Sequence, residues 1–186
     1  IYSILGEQIK TWFRFTDASS VALKKDTLAR YKLIYLPQFN YSDRETAVAL
    51  LDYVKNGGRL VIFDPEAFTW NIDGTRLDDV RKELVGCFPG ERINCRKIIL
   101  SEDHSGLKKG DELPLTPLAN RTGHGQMHSF KIVLPEDAKI FAAYPDGSPA
   151  AFEKNVGKGS VVYFAAQPFG NSELAVKNSN WSLLMK

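Results

Sequence analysis

The sequence predicts an α/β fold built on a parallel sheet, and three observations predict it. A strand–helix–strand pattern occupies residues 31–65. The last third turns to short apolar runs around a glycine turn, the mark of antiparallel strands. The chain has 186 residues, 44% of them hydrophobic and 25% charged, a globular composition that excludes disorder. A chain of this length most simply makes one domain and buries roughly 70% of its unfolded surface, enough for a core without disulfides.

The elements follow in order. Ile1, Leu5, Ile9 and Trp12 fit one helical face, and Trp12, Phe13 and Phe15 make the next stretch aromatic enough for a strand. A helix at the very start suggests a first strand upstream. Residues 32–36 form an apolar run closed by Pro37, which suits a buried parallel strand. Ser42-Asp43-Arg44-Glu45 reads as a capping box, with Ser42 the N-cap and Glu45 its partner. Ala47, Leu50, Leu51 and Val54 then recur at helical spacing. Asn56-Gly57-Gly58 ends that helix, because glycine takes the left-handed C′ conformation at little cost. Residues 59–63 are the next strand, and such crossovers are right-handed and make parallel sheets. A loop runs through Trp70 to Gly74. Thr75 then caps a helix carrying Leu77, Val80, Leu84 and Val85, closed by Gly86. Residues 98–100 are a strand, and the polar stretch 103–122, with Gly106, Gly110, Pro114 and Pro117, is an insertion or long loop. Residues 131–134, 139–143 and 150–153 are strands, and Gly157-Lys158-Gly159 turns the chain into a hairpin through 160–165. Residues 173–186 form a last helix with Leu174, Trp181 and Leu184 on its apolar face.

The charges balance at a net +2, and no basic run exceeds a Lys-Lys pair, so no nucleic-acid partner is expected. No apolar stretch approaches the roughly 18 residues of a membrane span, so no membrane partner is expected either. Cys87 and Cys95 read as two buried thiols rather than a short-loop pair. The chain opens on Ile1 without a signal pattern and stops abruptly at Lys186. It reads as one domain, 1–186, cut from a longer polypeptide, with 88–130 an insertion or irregular region inside it. Any targeting signal would lie outside it.

The string YKLIYLPQFNYSDRETAVALLDYVKNGGRLVIF resembles the glutamine-amidotransferase-like (class I) superfamily, and within it the trimerisation domain of family 42 β-galactosidases. LDDVRKELVG is similar to a later helix of those domains, and PEDAKIFAAYPDGSPAAFEKNVGKGSVVYFAA resembles their ending. The likeness spans residues 1–168 with 88–134 unmatched, and its specificity lies in the order of the blocks. It implies a doubly wound, flavodoxin-like sandwich with a mostly parallel central sheet and a β-hairpin near the C-terminus. It implies a non-catalytic assembly domain of a bacterial carbohydrate-active enzyme, a β-galactosidase-like glycoside hydrolase. The partners implied are the parent's other domains and further copies in a closed trimer, where the domain helps surround the active site. No cofactor is expected.

Ligands of such sheets sit at the carboxyl ends of the strands. The resembling amidotransferases place there a cysteine on a strained elbow and, after a late strand, a His-Pro-Glu. Here the elbow reads Asp64-Pro65-Glu66 and the late strand Gln167-Pro168-Phe169, so nucleophile, base and orienting acid are missing and no catalytic residue is expected. Pro65 also removes an oxyanion-hole donor. Asp64 and Glu66 suit acid/base work or a metal; the plainer reading makes Asp64 a turn cap and Glu66 solvated. His124 and His128 have metal-ligand spacing, but Gly123 and Gly125 argue against the helix it needs, so no metal is expected. His104 beside Asp103 reads as exposed. Trp12, Trp70, Trp181, Tyr35, Tyr41 and Tyr163 suit sugar stacking or ordinary packing. Trp70, just past the elbow, and Gln167 are the candidate ligand contacts of a rival reading, a sugar or small-molecule binding module.

Overall fold

The computed structural model describes residues 3–22, 27–117, 127–168 and 180–185. A π-helical turn, Ser3–Gln8, opens it and is followed by an extended stretch and a short helix α1 (Ala18–Ala22). Strand β1 (Leu33–Leu36), the two-residue strand β2 (Tyr41–Ser42), helix α2 (Arg44–Lys55) and strand β3 (Arg59–Ile62) come next. Then come β4 (Trp70–Asn71), α3 (Asp78–Leu84), β5 (Arg92–Ile93), β6 (Lys97–Leu100), β7 (Glu112–Pro114) and β8 (Ser129–Phe130). The chain ends in β9 (Lys139–Ala143), β10 (Pro149–Val156), β11 (Gly159–Phe164) and a one-turn helix α4 (Trp181–Leu184).

Seven strands make one mixed sheet, in the order β1-β3-β11-β10-β9-β6-β7. β1, β3 and β11 are parallel, with β3 between the other two. From β11 outward every pairing is antiparallel. β2 with β4, and β5 with β8, form separate two-stranded ribbons.

The apolar runs of the parallel strands are continuous because both faces are covered. Ile34, Leu36, Leu60, Ile62, Val161 and Tyr163 face one core with the apolar stripes of α2 and α3. Tyr35, Val61, Phe63, Val162 and Phe164 face the other, with Ile4, Leu5, Trp181 and Met185. Trp181 is fully buried there and its indole N–H donates to the Pro114 carbonyl at 2.7 Å. The class is therefore α/β, a two-faced sandwich compatible with the flavodoxin-like expectation.

Several local expectations change. The N-cap of α2 is Asp43, not Ser42: its carboxylate accepts from both Thr46 N and Thr46 Oγ1 at 2.7 Å. Ser42 is still extended, paired with Asn71, and a carboxylate is the stronger cap at the positive end of a helix. Thr75 does not cap α3; its hydroxyl donates to Asp73 in the preceding turn, and the N-cap is Leu77. The opening helix stops before Trp12, because Lys10 turns left-handed at φ 56°, and Trp12 is left fully exposed. No strand forms at 12–16. The stretch 103–122 is not all loop: β7 lies in it and pairs with β6. The strand expected at 131–134 falls instead on Ser129–Phe130, where the ladder to β5 ends; Val133 is exposed. Of the last helix, residues 173–179 lie outside the described residues and Trp181–Leu184 are helical. Among the described residues, no helix is long and apolar enough to cross a membrane.

Candidate functional site

β3 runs through Phe63 into the elbow, beside the chain leaving β1 and the chain leaving β11. Asp64 is only 3% exposed. Its Oδ2 accepts from Phe39 N–H at 2.7 Å and its Oδ1 from Glu66 N–H at 2.9 Å. Both oxygens therefore fix backbone: one ties the loop after β1, the other closes the elbow's own turn.

Glu66 is not merely solvated. Its Oε2 lies 3.2 Å from Nε2 of His128, and His128 Nδ1 lies 3.0 Å from Nη2 of Arg92 on β5. A guanidinium can only donate, so Nδ1 accepts, and the ring proton sits on Nε2 facing Glu66. Burial is the main cause holding the imidazole below its ordinary pKa; the Glu66 and Asp64 carboxylates raise it, and Arg92 lowers it. The ring is thus a neutral bridge at pH 7.

Gln167 follows β11 and is 5% exposed. Its backbone N–H donates to the His128 carbonyl at 2.9 Å, and its amide donates over a long 3.5 Å to the Pro37 carbonyl. It closes the edge between the ends of β11 and β1 and points inward.

Beneath the elbow lies Arg81 of α3, fully buried. Nε donates to the Cys87 carbonyl and Nη2 to the Pro65 carbonyl, both at 2.9 Å, and Nη1 donates to the Ala67 carbonyl. The Tyr163 hydroxyl accepts from Nη2 at 3.2 Å and donates to Pro65 at 2.7 Å. One side chain thus pins three carbonyls, two in the elbow turn and one after α3. Phe68, buried in that loop, holds φ 60°, a strained value for a bulky residue. Its N–H donates to the Phe39 carbonyl at 3.0 Å.

Past the elbow, Trp70 sits opposite Tyr41 in the β2–β4 ribbon. The Arg76 guanidinium lies 4.8 Å above its ring and occupies one face. Tyr41 is 61% and Ile72 72% exposed, so the ribbon presents a small apolar patch.

The fold brings Asp64, Pro65, Glu66 and Gln167 to one edge and leaves Trp70 on the ribbon beside it. His128 joins that edge, while His124 lies outside the described residues. His104 is half-buried, its ring edge-on to Phe141 at 5.1 Å, and Asp103 pairs with Lys108 instead. Both cysteines are free; Cys87 is buried, its thiol pushed up to about 11, but Cys95 is only half-buried. Among the described residues, no group of three His, Cys, Asp or Glu is placed to hold a metal ion. Arg81, Arg92 and the Glu66–His128 contact were not foreseen. Arg81 had a signal: it stands on the buried stripe between Leu77 and Leu84. The pairing of Glu66 with His128 had none, because it joins segments distant in sequence. Chemically, this edge holds loops together and offers no nucleophile on the elbow.

The model of the β-galactosidase trimerisation domain family matches residues 7–177. Among solved structures, the β-galactosidase from Bacillus circulans sp. alkalophilus is similar at a TM-score of 0.61 and 18% identity, over 86% of this chain and 23% of that one. The β-galactosidase from Rahnella sp. R3 gives 0.59 and 19%, over 82% of this chain and 22% of that one. A cytoplasmic protein from Salmonella typhimurium gives 0.64 and 13%, over 98% of this chain and 81% of that one. At such identities the likeness is one of fold. The chain spans less than a quarter of the length of those two β-galactosidases. No curated protein sequence matches it.

Proposed function

We propose that this chain, which belongs to the β-galactosidase trimerisation domain family, gathers three copies of a parent glycoside hydrolase into a closed ring. The domain is a non-catalytic assembly module. The observation that carries the reading is the family match across residues 7–177. The elbow supports it, since its carboxylate and its buried arginine fix loops. The surface supports it too. Tyr41, Trp70 and Ile72 crowd one ribbon, and Trp12 and Phe15 stand exposed on the opening segment. Aromatic anchors of this kind dominate protein interfaces. A head-to-tail contact that closes on itself limits the assembly to a ring.

In this reading residues 1–186 are one domain of a larger polypeptide, residues 88–130 are an insertion whose described strands β6 and β7 form the outer sheet edge, and the catalytic carboxylates lie elsewhere in the parent. Kinship with the amidotransferase-like superfamily belongs to the same proposal; it rests on the strand-to-elbow layout at Asp64-Pro65-Glu66. The rival reading, a sugar held by Trp70 and Gln167, has less behind it: Arg76 covers one face of Trp70 and Gln167 is buried.

Sedimentation equilibrium over roughly a hundredfold range of concentration tests the proposal. The expected result is a trimer. Combined alanine substitution of Tyr41, Trp70 and Ile72 then drives it to monomer without lowering the melting temperature by more than a few degrees, as surface changes do. A monomer at every concentration overturns the placement of assembly in this domain.

A further inference from the structure

We propose that His128 is a proton-operated clasp that ties strand β5 to the elbow and β8: neutral, it joins Arg92 to Glu66; protonated, it keeps Glu66 and releases Arg92. The geometry carries this. The ring lies between a group that only donates, Arg92 Nη2 at 3.0 Å, and a carboxylate oxygen, Glu66 Oε2 at 3.2 Å. Only the neutral ring with its proton on Nε2 satisfies both. Protonation puts a hydrogen on Nδ1, which then faces another donor across the same gap and brings two cations together. The contact with Glu66 strengthens at the same step. The bond to Arg92 must break while the bond to Glu66 holds.

The groups bearing on the ring from every side are few. Glu66 and Asp64 face it from the elbow, and Arg92 from β5. The Phe130 ring lies edge-on at 5.0 Å, and the Gln167 N–H holds the His128 carbonyl. The ribbon it clasps is slight. β5 and β8 pair over only Arg92↔Phe130 and Ile93↔Ser129, with Gly90 N–H donating to the Lys131 carbonyl and Lys131 N–H to the Glu91 carbonyl just beyond. β8 is held besides by its bridge to Ala166 and by Phe130 N–H donating to the Ala165 carbonyl, and the Arg92 guanidinium lies 5.4 Å over the Phe130 ring, so losing the bond to His128 bears on the order of β5 and its rungs to Lys131.

The direction with pH follows. Because burial lowers the folded pKa of His128 below about 6.5, the unfolded chain binds the proton more readily. The clasp's contribution is complete above about pH 6.5 and is lost as pH falls through that value toward the lowered folded one.

The test uses the whole chain, labelled with nitrogen-15. Long-range proton–nitrogen spectra of the imidazole at pH 8 are expected to show the Nε2–H tautomer, titrating with a midpoint below 6.5. Hydrogen-exchange protection of Gly90 and Lys131 is expected to fall about tenfold or more between pH 8 and 5, while that of helix α2 stays constant. His128→Gln keeps one donor and one acceptor without a charge change, and should make the ribbon's protection independent of pH. Arg92→Gln should raise the His128 midpoint; this arm stands even if His128→Gln folds poorly. An Nδ1–H tautomer at pH 8, a midpoint at or above 6.5, or the same loosening in His128→Gln overturns the proposal.

Discussion

Asp64 follows β3 directly, and its two oxygens are occupied by the Phe39 and Glu66 N–H groups. Asp64→Ala leaves both donors buried and unpaired, a cost of about 2–4 kcal/mol. Asp64→Asn keeps one acceptor oxygen and should lose roughly half of that in urea unfolding. Arg81 is the more severe case. Its guanidinium holds the carbonyls of Pro65, Ala67 and Cys87. Arg81→Met should cost about 3–5 kcal/mol, because several buried carbonyls lose their donor at once. Arg81→Lys should recover little, since an ammonium cannot span three diverging acceptors. A Lys variant as stable as the parent would refute this account of the loop. These residues mark a limit of reading from sequence. The turn after β3 was legible at Asp64-Pro65-Glu66, since Asp before Pro is turn chemistry. The partners of those residues were not, because hydrogen bonds between distant segments leave no local pattern.

At the next scale, the helix ending in two glycines and the Gly-Lys-Gly turn prove to be halves of one contact. α2 ends in a Schellman motif: Gly57 N–H donates to Val54 and Gly58 N–H to Tyr53, both at 2.9 Å. Gly57 has φ +110°, with open space where a Cβ would sit. The hairpin turn between β10 and β11 rests on this helix end. Lys158 N–H donates to Lys55 O at 2.9 Å, and a Cβ on Gly159 would come within 2.1 Å of Gly58 O and 2.3 Å of Val54 O. Gly57→Ala therefore adds only backbone strain, about 1–2 kcal/mol. Gly159→Ala forces backbone apart and should cost at least about 3 kcal/mol, a fall of roughly 6–12 °C in melting temperature. Equal effects at the two positions would contradict the interlock. Both glycine motifs were legible one at a time, as a helix stop and as a turn. Their mutual fit was not, because it is backbone against backbone. The cap of α2 was misread for a related reason: Ser42 and Asp43 are both good caps, and the choice falls to Asp43 because β2 holds Ser42 extended.

Across the whole molecule, periodicity revealed the parallel half and underestimated the rest. β1 and β3 are short, but the twelve-residue helix α2 between them and its glycine stop fix the unit, and all three lie where the pattern puts them. The described strands of the stretch 88–130 are two to four residues long with no patterned helix between them to frame them, yet β6 and β7 form one edge of the sheet. The patch of exposed Tyr41 and Ile72 beside half-buried Trp70 also belongs to this scale, since only the assembled fold shows which apolar side chains are left outside. One feature of strand order reaches beyond the finished molecule. β11 lies in the middle of the sheet, between β3 and β10, yet it is the last of the sheet's described strands in chain order. A polypeptide emerging from the ribosome will have made β1 with β3, and the antiparallel group ending in β10, before the strand that joins them exists. Until it arrives, each half keeps an open edge able to pair with a neighbouring chain. Vectorial synthesis thus delays closure of this sheet until Gly159–Phe164 have emerged, and truncation ahead of Gly159 would leave two adhesive half-sheets rather than a smaller version of the fold.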